Sequence, residues 1–321
     1  MISNKLLFSI LLSLPRVGRK TALSFYENEN NKFVNTSDIF EAIKLYTSKG
    51  KKFPSISKEL LIDSYNKSEI LIKKSIDENH FMIAFGDDNY PQKMLHIEDP
   101  PLLLYAKGHI KALSNQNSVA LIGKRKVSKF GSEASYKVGT VLAKDKITIV
   151  SGLALGCDTQ AHLGCVNANG LGIAVLAHGL DQVHPSSNKK LVDELIEKNG
   201  LLITEYPLGT SPAKFNYVDR DRIQSGLSDA VIVMETDEVS GTMQTVQFAE
   251  KQKRPLGVLD FPSEAYEQGI ALGNRMLIKE KRGYAFNLDD DLISFYQSIK
   301  EDKASYLNKK IEKPTQGGFD F

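Results

Sequence analysis

Ile122-Gly123-Lys124-Arg125-Lys126-Val127-Ser128 sets a turn-forming glycine, three cations and a hydroxyl in one short run. Those types suit phosphate: Arg125 can grip it with two parallel N–H groups and Lys124 adds a point charge. A solvated basic turn accounts for the same run equally well. Ser240-Gly241-Thr242 opens a helical stretch after an acidic run, so backbone amides and hydroxyls can cradle a second anion there. Arg220-Asp221-Arg222 brings two guanidiniums ahead of the strand that precedes it, before an expected short helix over 223–227. Ser151-Gly152-Leu153-Ala154-Leu155-Gly156 leads with small residues to Asp158, an expected helix cap. It lacks the Gly-x-Gly-x-x-Gly spacing, and no acidic residue ends the following strand, so a dinucleotide is disfavoured. Two cradles and two arginine-bearing segments together point to a polyanionic ligand.

Other chemistries read less well. Asp158, His162 and Cys165 share a helical face with Cys157 beside it, and that spacing could ligate zinc. A capping Asp, a half-buried His and packing thiols explain it without metal, and no second Cys/His pair completes a site. No Gly-x-Ser-x-Gly and no legible Ser–His–Asp set occurs, so no catalytic nucleophile and no cofactor are expected. Phe130, Phe215 and Tyr217 could stack on bases, although core packing is the commoner fate of one aromatic.

These residues need a sheet to hold them. Aliphatic or β-branched runs at 118–123, 147–151, 172–177, 201–205, 230–235 and 255–259 alternate with helical patterns at 131–144, 158–168, 188–198 and 241–252. That alternation implies βαβ units. The expected fold is α/β: an extended Rossmann-like, mostly parallel sheet flanked by helices, preceded by a small helical domain. Residues 1–80 read as helical, 81–300 as the sheet domain, and 301–321 as a frayed Lys/Glu-rich tail with no winged helix. Pro and Gly at Leu14-Pro15-Arg16-Val17-Gly18 join two helical stripes.

Composition sets outer bounds. The 321 residues suggest about two domains, and 41% apolar with 25% charged residues describe a globular chain. A net charge of +2 leaves any basic site to local clustering. Two cysteines exclude a disulfide scaffold, and no long apolar run suggests a membrane span, so a cytoplasmic protein is expected.

The motifs in order resemble the DprA/Smf family of DNA-processing proteins of bacterial transformation. They run from Asp88-Asn89-Tyr90-Pro91 and Asp99-Pro100-Pro101 through Gly123-x-Arg125 with Ser128, and Val150-Ser151-Gly152-Leu153-Ala154 with Asp158 and His162. Later come Glu205-Tyr206-Pro207, Arg220-x-Arg222-Ile223, Gly226-Leu227-Ser228, Ser240-Gly241 and Gly273-Asn274. The resemblance implies a strand-end pocket for single-stranded DNA, a homodimer, and loading of a RecA-type recombinase. It assigns Gly123, Arg125, Ser128, Arg220 and Arg222 to the DNA pocket, and Asp158 and His162 to structure. Leu14–Ala22 is similar to the family's helix–hairpin–helix, with Arg16 replacing a glycine. Lys124 departs from the family's Ser or Thr, Asp221 from an Asn, and His184 from a tyrosine. The nucleic-acid and phosphate-binding set is thus Gly123, Lys124, Arg125, Ser128, Ser151, Gly152, Arg220, Arg222, Ser240, Gly241 and Thr242. An enzyme or sensor for small nucleotides, similar to nucleoside-monophosphate glycosidases, is the alternative on the same fold. A docking scaffold is the third reading.

Overall fold

Four helices come first in the computed structural model, which describes residues 1–29, 33–95 and 97–309. They are α1 (Asn4–Ser13), α2 (Arg19–Asn28), α3 (Thr36–Ser48) and α4 (Lys58–Asp77). Side chains start three of them: Ser3 accepts from the Leu6 amide, Ser57 from Leu60, and Asn35 with Asp38 forms a reciprocal capping box. Phe8, Ile10, Leu11, Phe25, Ile39 and Leu61 pack between them, fully buried. The same apolar cluster continues into Leu103 and Tyr105 of the sheet, so the helices seat directly on one of its faces.

The remainder is a sheet with its crossovers. In order come β1 (Phe81–Ala84), β2 (Leu103–Gly108), β3 (Ser118–Ile122), α5 (Lys129–Lys144), β4 (Thr148–Ser151), α6 (Cys157–Asn167), β5 (Gly172–Val175), α7 (Lys189–Glu197) and β6 (Leu201–Thr204). Then follow α8 (Lys214–Gly226), β7 (Ala230–Val233), α9 (Thr242–Lys251), β8 (Leu256–Leu259), α10 (Ser263–Glu267), α11 (Leu272–Lys279), β9 (Tyr284–Phe286) and α12 (Leu292–Lys309). Among the described residues the strands lie in the order β1-β2-β6-β5-β4-β3-β7-β8-β9. β1 and β2 are antiparallel additions at one edge, and β3 to β9 are parallel to one another. Val119 and Leu121 of β3 face one apolar cluster, while Ala120 and Ile122 face another. A parallel strand covered on both sides needs apolar residues at every position, which is why these runs do not alternate.

All six expected strands and four helical patterns are present, with ends shifted by a residue or two. Three expectations change. The short helix over 223–227 is only the end of α8, which begins at Lys214 and carries Arg220 and Arg222 within it. Asp158 does not cap α6: Gly156 holds that position at φ +79°, and Asp158 lies one residue inside the helix. α12 runs on to Lys309, through the start of the stretch expected to fray, and residues 310–321 of that stretch lie outside the described residues. No helix among the described residues is long and apolar enough to cross a membrane.

Candidate nucleic-acid interface

The chain winds outward from β3 through β4, β5 and β6, then returns to place β7 on the other side of β3. Connections leave β3 and β7 in opposite directions, and a crevice opens beyond their carboxyl ends. It is a cleft of about 950 Å³. The loop after β3 supplies Gly123, Lys124, Arg125 and Lys126; the loop after β7 supplies Asp237, Ser240 and Gly241, with Thr242 opening α9. The third wall is α8, through Lys214, Tyr217, Arg220 and Asp221.

Close approach dictates the glycines. A methyl on Gly123 would sit 2.3 Å from Cys157 Sγ, and one on Gly152 only 1.3 Å from Arg220 Nη1. Gly152 is therefore the gap through which the Arg220 guanidinium lies. Arg220 is buried; its Nη1 donates to the Val175 carbonyl at 3.1 Å, and its Nε lies 3.3 Å from Asp221 Oδ1. Asp158 accepts from the Gly152 and Ala154 amides at 3.1 and 3.4 Å, so it fixes the loop around that guanidinium. Burial pushes the Asp158 carboxyl up, against the Arg220 charge.

A buried carboxylate joins the other two loops. Glu235, wholly inaccessible, accepts from the Ser128 amide and from its hydroxyl at 2.6 Å, and Lys124 Nζ lies 2.9 Å away. Lys124 also reaches Asp237 at 3.1 Å. Against the cost of its burial, these two partners raise the Lys124 pKa. Its charge is thus already spent on carboxylates. Arg125 is exposed, with its guanidinium carbon 4.8 Å from the centre of the Tyr217 ring, and Arg220 approaches that ring at 6.0 Å. The Tyr217 ring thus has two cations within about 6 Å of its centre, the cleft's distinctive feature.

The expected residues divide accordingly. Gly123, Lys124, Arg125, Arg220, Ser240, Gly241 and Thr242 meet around one cleft. Ser128, Ser151 and Gly152 lie behind it: Ser128 Oγ caps α5 through the Gly131 amide, and Ser151 Oγ donates to the Leu121 carbonyl. Arg222 belongs elsewhere. It is buried on another side of α8, 2.6 Å from Glu205 and 3.3 Å from Asp99, and lines a separate cleft. Arg19 of α2 joins the same network, reaching Asp99 at 2.7 Å, Asp219 at 3.2 Å and Glu205 at 3.3 Å. Asp221 pairs with Arg220 and accepts from Gln224 Nε2 at 2.8 Å.

Lys126, Lys214, His184 and Asp237 also line the cleft, outside the expected binding set. Once α8 is known to start at Lys214, the three-residue step from Tyr217 to Arg220 marks one helical face.

The possible zinc set does not assemble. Asp158 is engaged by loop amides, and burial lowers His162 to about 4 and lifts the Cys157 and Cys165 thiols to about 12. Among the described residues no group of three or more His, Cys, Asp or Glu side chains could hold a metal ion.

Residues 81–297, from β1 into α12, match the family model for DNA recombination-mediator protein A. The chain belongs to this family. Protein Smf from Synechocystis sp. is 39% identical over 180 residues, covering 55% of this chain and 45% of that one. The DNA processing protein DprA of Streptococcus pneumoniae is 37% identical over 209 residues, covering 65% of this chain and 72% of that one. With the Smf proteins of Synechocystis and Escherichia coli, the match spans about half of the relative's length. The crystal structure of the pneumococcal family member superposes with a TM-score of 0.68 at 27% identity, over 89% of this chain and 90% of that one. A Helicobacter pylori member, solved for its single-stranded DNA binding mode, gives 0.60 at 28% identity over 70% and 96%.

Proposed function

We propose that the cleft between β3, β7 and α8 binds single-stranded DNA, and that the chain acts there as a non-enzymatic recombination mediator. The observation carrying this reading is Tyr217 beside Arg125 and Arg220 at the cleft. A ring of this kind offers a stacking face to any base, while exposed cations on the adjoining turn follow the phosphates. Arg125 and Lys126 are the phosphate contacts at the rim. Amides at Gly241 and Thr242, opening α9, add an anion-directed dipole. Gly123, Ser128, Ser151 and Gly152 keep the walls in place, and Lys124 holds the two loops together. Residues 81–300 form the DNA-binding unit and residues 1–80 a helical unit carried on it. A RecA-type recombinase is the partner that receives the strand, and a homodimer is the working form. Filament nucleation of such a recombinase on protein-coated strand tests the loading step.

The test is a fluorescence-anisotropy titration of a labelled single strand of ~30 nucleotides against its duplex, at two salt concentrations. Preference for the single strand, falling steeply with salt, is the expected result. Arg125→Glu removes a charge-assisted contact and adds repulsion, so affinity drops by on the order of a hundredfold at low salt. Unchanged affinity in that variant would overturn the assignment. Release of free base from a nucleoside monophosphate would replace it with the small-nucleotide enzyme.

A further inference from the structure

At the opposite, amino-terminal end of the parallel strands, β8 and β9 begin beside a second cleft of about 760 Å³. Its polar lining is lopsided: Lys253, Arg254, Lys281 and Arg282 against Glu250. That one carboxylate is taken by Arg282, at 2.7 and 3.1 Å, so the cations from 253, 254 and 281 are left uncompensated within the lining. Lys253 and Lys281 are exposed, and each has a left-handed backbone at φ +55°. Such a conformation costs a residue with a Cβ about 1 kcal/mol, and asparagine or glycine usually fills it. Helix exits elsewhere in the chain follow that habit at Asn79, Asn169 and Asn199, with Lys146 the exception; here both positions keep lysine.

Two further observations give the cleft a ligand class. Arg254 is more than nine-tenths buried, and its Nη2 donates at 3.0 Å to the Lys93 and Gly226 carbonyls, yet its Nε donor is unmet. That Nε is sealed from solvent, and Arg254 also lines the cleft shared by Lys93 and Arg222, so it gives this wall a buried positive charge rather than a hydrogen bond to a ligand. Pro255, Leu256 and Ile278 make an apolar floor, with the half-exposed ring of Tyr284 at its side. Cations beside an apolar, aromatic surface match a phosphate carrying a base better than an inorganic anion alone.

We propose that this cleft is a second nucleotide-phosphate site, which takes a segment of nucleic-acid strand separately from the first. The sites lie beyond opposite ends of strands about 13 Å long, so one short segment does not fill both. The site stands on its own lining and not on the DNA reading of the first cleft.

The test uses the full chain and a labelled single strand of ~30 nucleotides. Lys253→Glu with Lys281→Glu should reduce the slope of log affinity against log salt by about 0.7 for each lost contact, roughly 1.4 in all. In an Arg125→Glu background the remaining salt-sensitive binding should disappear when the two lysines are reversed. A strand carrying 5-bromouridine should cross-link at Tyr284, and should lose that cross-link with the lysines while keeping one at Tyr217. An unchanged slope, or equal residual binding with and without the lysines, would overturn the second site. Should the first reading fail instead, Arg125→Glu would leave affinity untouched while the lysine pair still lowered it. Adenosine monophosphate competing at Tyr284 more strongly than the strand would identify a free nucleotide as the source of the phosphate. Both lysines are exposed, and Lys253→Gln with Lys281→Gln serves as the milder pair if reversal unsettles the fold.

Discussion

Burial lifts the Asp221 carboxyl to about 6, although the Arg220 charge opposes the shift and Asp158 adds to it. Thr245 and Gln224 also hydrogen-bond it in the sense that favours ionisation. The folded value stands above the ordinary carboxylate value of about 4, so this group's stabilising contribution is complete below pH ~4 and is lost as pH rises through about 6. The same proton serves binding. When Asp221 is neutral, Arg220 faces one carboxylate fewer and the cleft gains a net positive charge. Strand affinity is therefore expected to rise several-fold between pH 7.5 and 5.5. Asp221→Asn should hold the low-pH affinity across that range, as anisotropy titrations at three pH values would read. Parallel profiles for the two proteins would contradict this, and repeating them with His184→Gln separates the carboxyl from the imidazole that also lines the cleft.

At the scale of elements, α8 serves two sites from two sides. Tyr217, Arg220 and Asp221 line the carboxyl-end cleft, while Arg222 is locked with Arg19, Asp99 and Glu205. That network ties α2 to α8 and to the loops before β2 and after β6. Arg222→Gln leaves the buried Glu205 with only the longer Arg19 contact, so unfolding should become easier by about 3 kcal/mol. Denaturant melts would measure that loss, and strand affinity of the folded variant should stay within about twofold. A hundredfold loss of affinity with unchanged stability would return Arg222 to the binding set. The sequence made half of this helix legible. Ile223 and Leu227 show an apolar step, but 214–222 shows none, because its buried Asn216, Arg220 and Arg222 are held by carbonyls and carboxylates rather than by apolar packing. β3 to β8 stand out as uninterrupted aliphatic runs because both of their faces are covered. β1, β2 and β9 escape notice: β1 and β9 are edge strands with exposed residues that break the aliphatic run, and β2 ends in the half-covered Lys107 and Gly108. The Arg19 network joins residues up to 200 positions apart, which no local pattern reveals.

Over the whole molecule, the strand order fixes where loops can converge. Gly123 to Lys126 after β3, and Asp237 with Ser240 to Thr242 after β7, reach the crevice because those strands are neighbours, and neither their spacing in sequence nor the net charge of +2 would say so. A homodimer would double the carboxyl-end clefts available to one strand, and sedimentation velocity should then give twice the 35.7 kDa of the chain. A single-chain mass at micromolar concentration would confine strand capture to one such cleft per particle. Tyr217 has one more property by virtue of its setting. The chain contains no tryptophan at all. An indole placed at position 217 would be the molecule's sole near-ultraviolet emitter of its kind, seated beside two guanidiniums at the mouth of the crevice. The emission of such a protein would report occupancy of that one place, with no dye attached and no other indole to subtract.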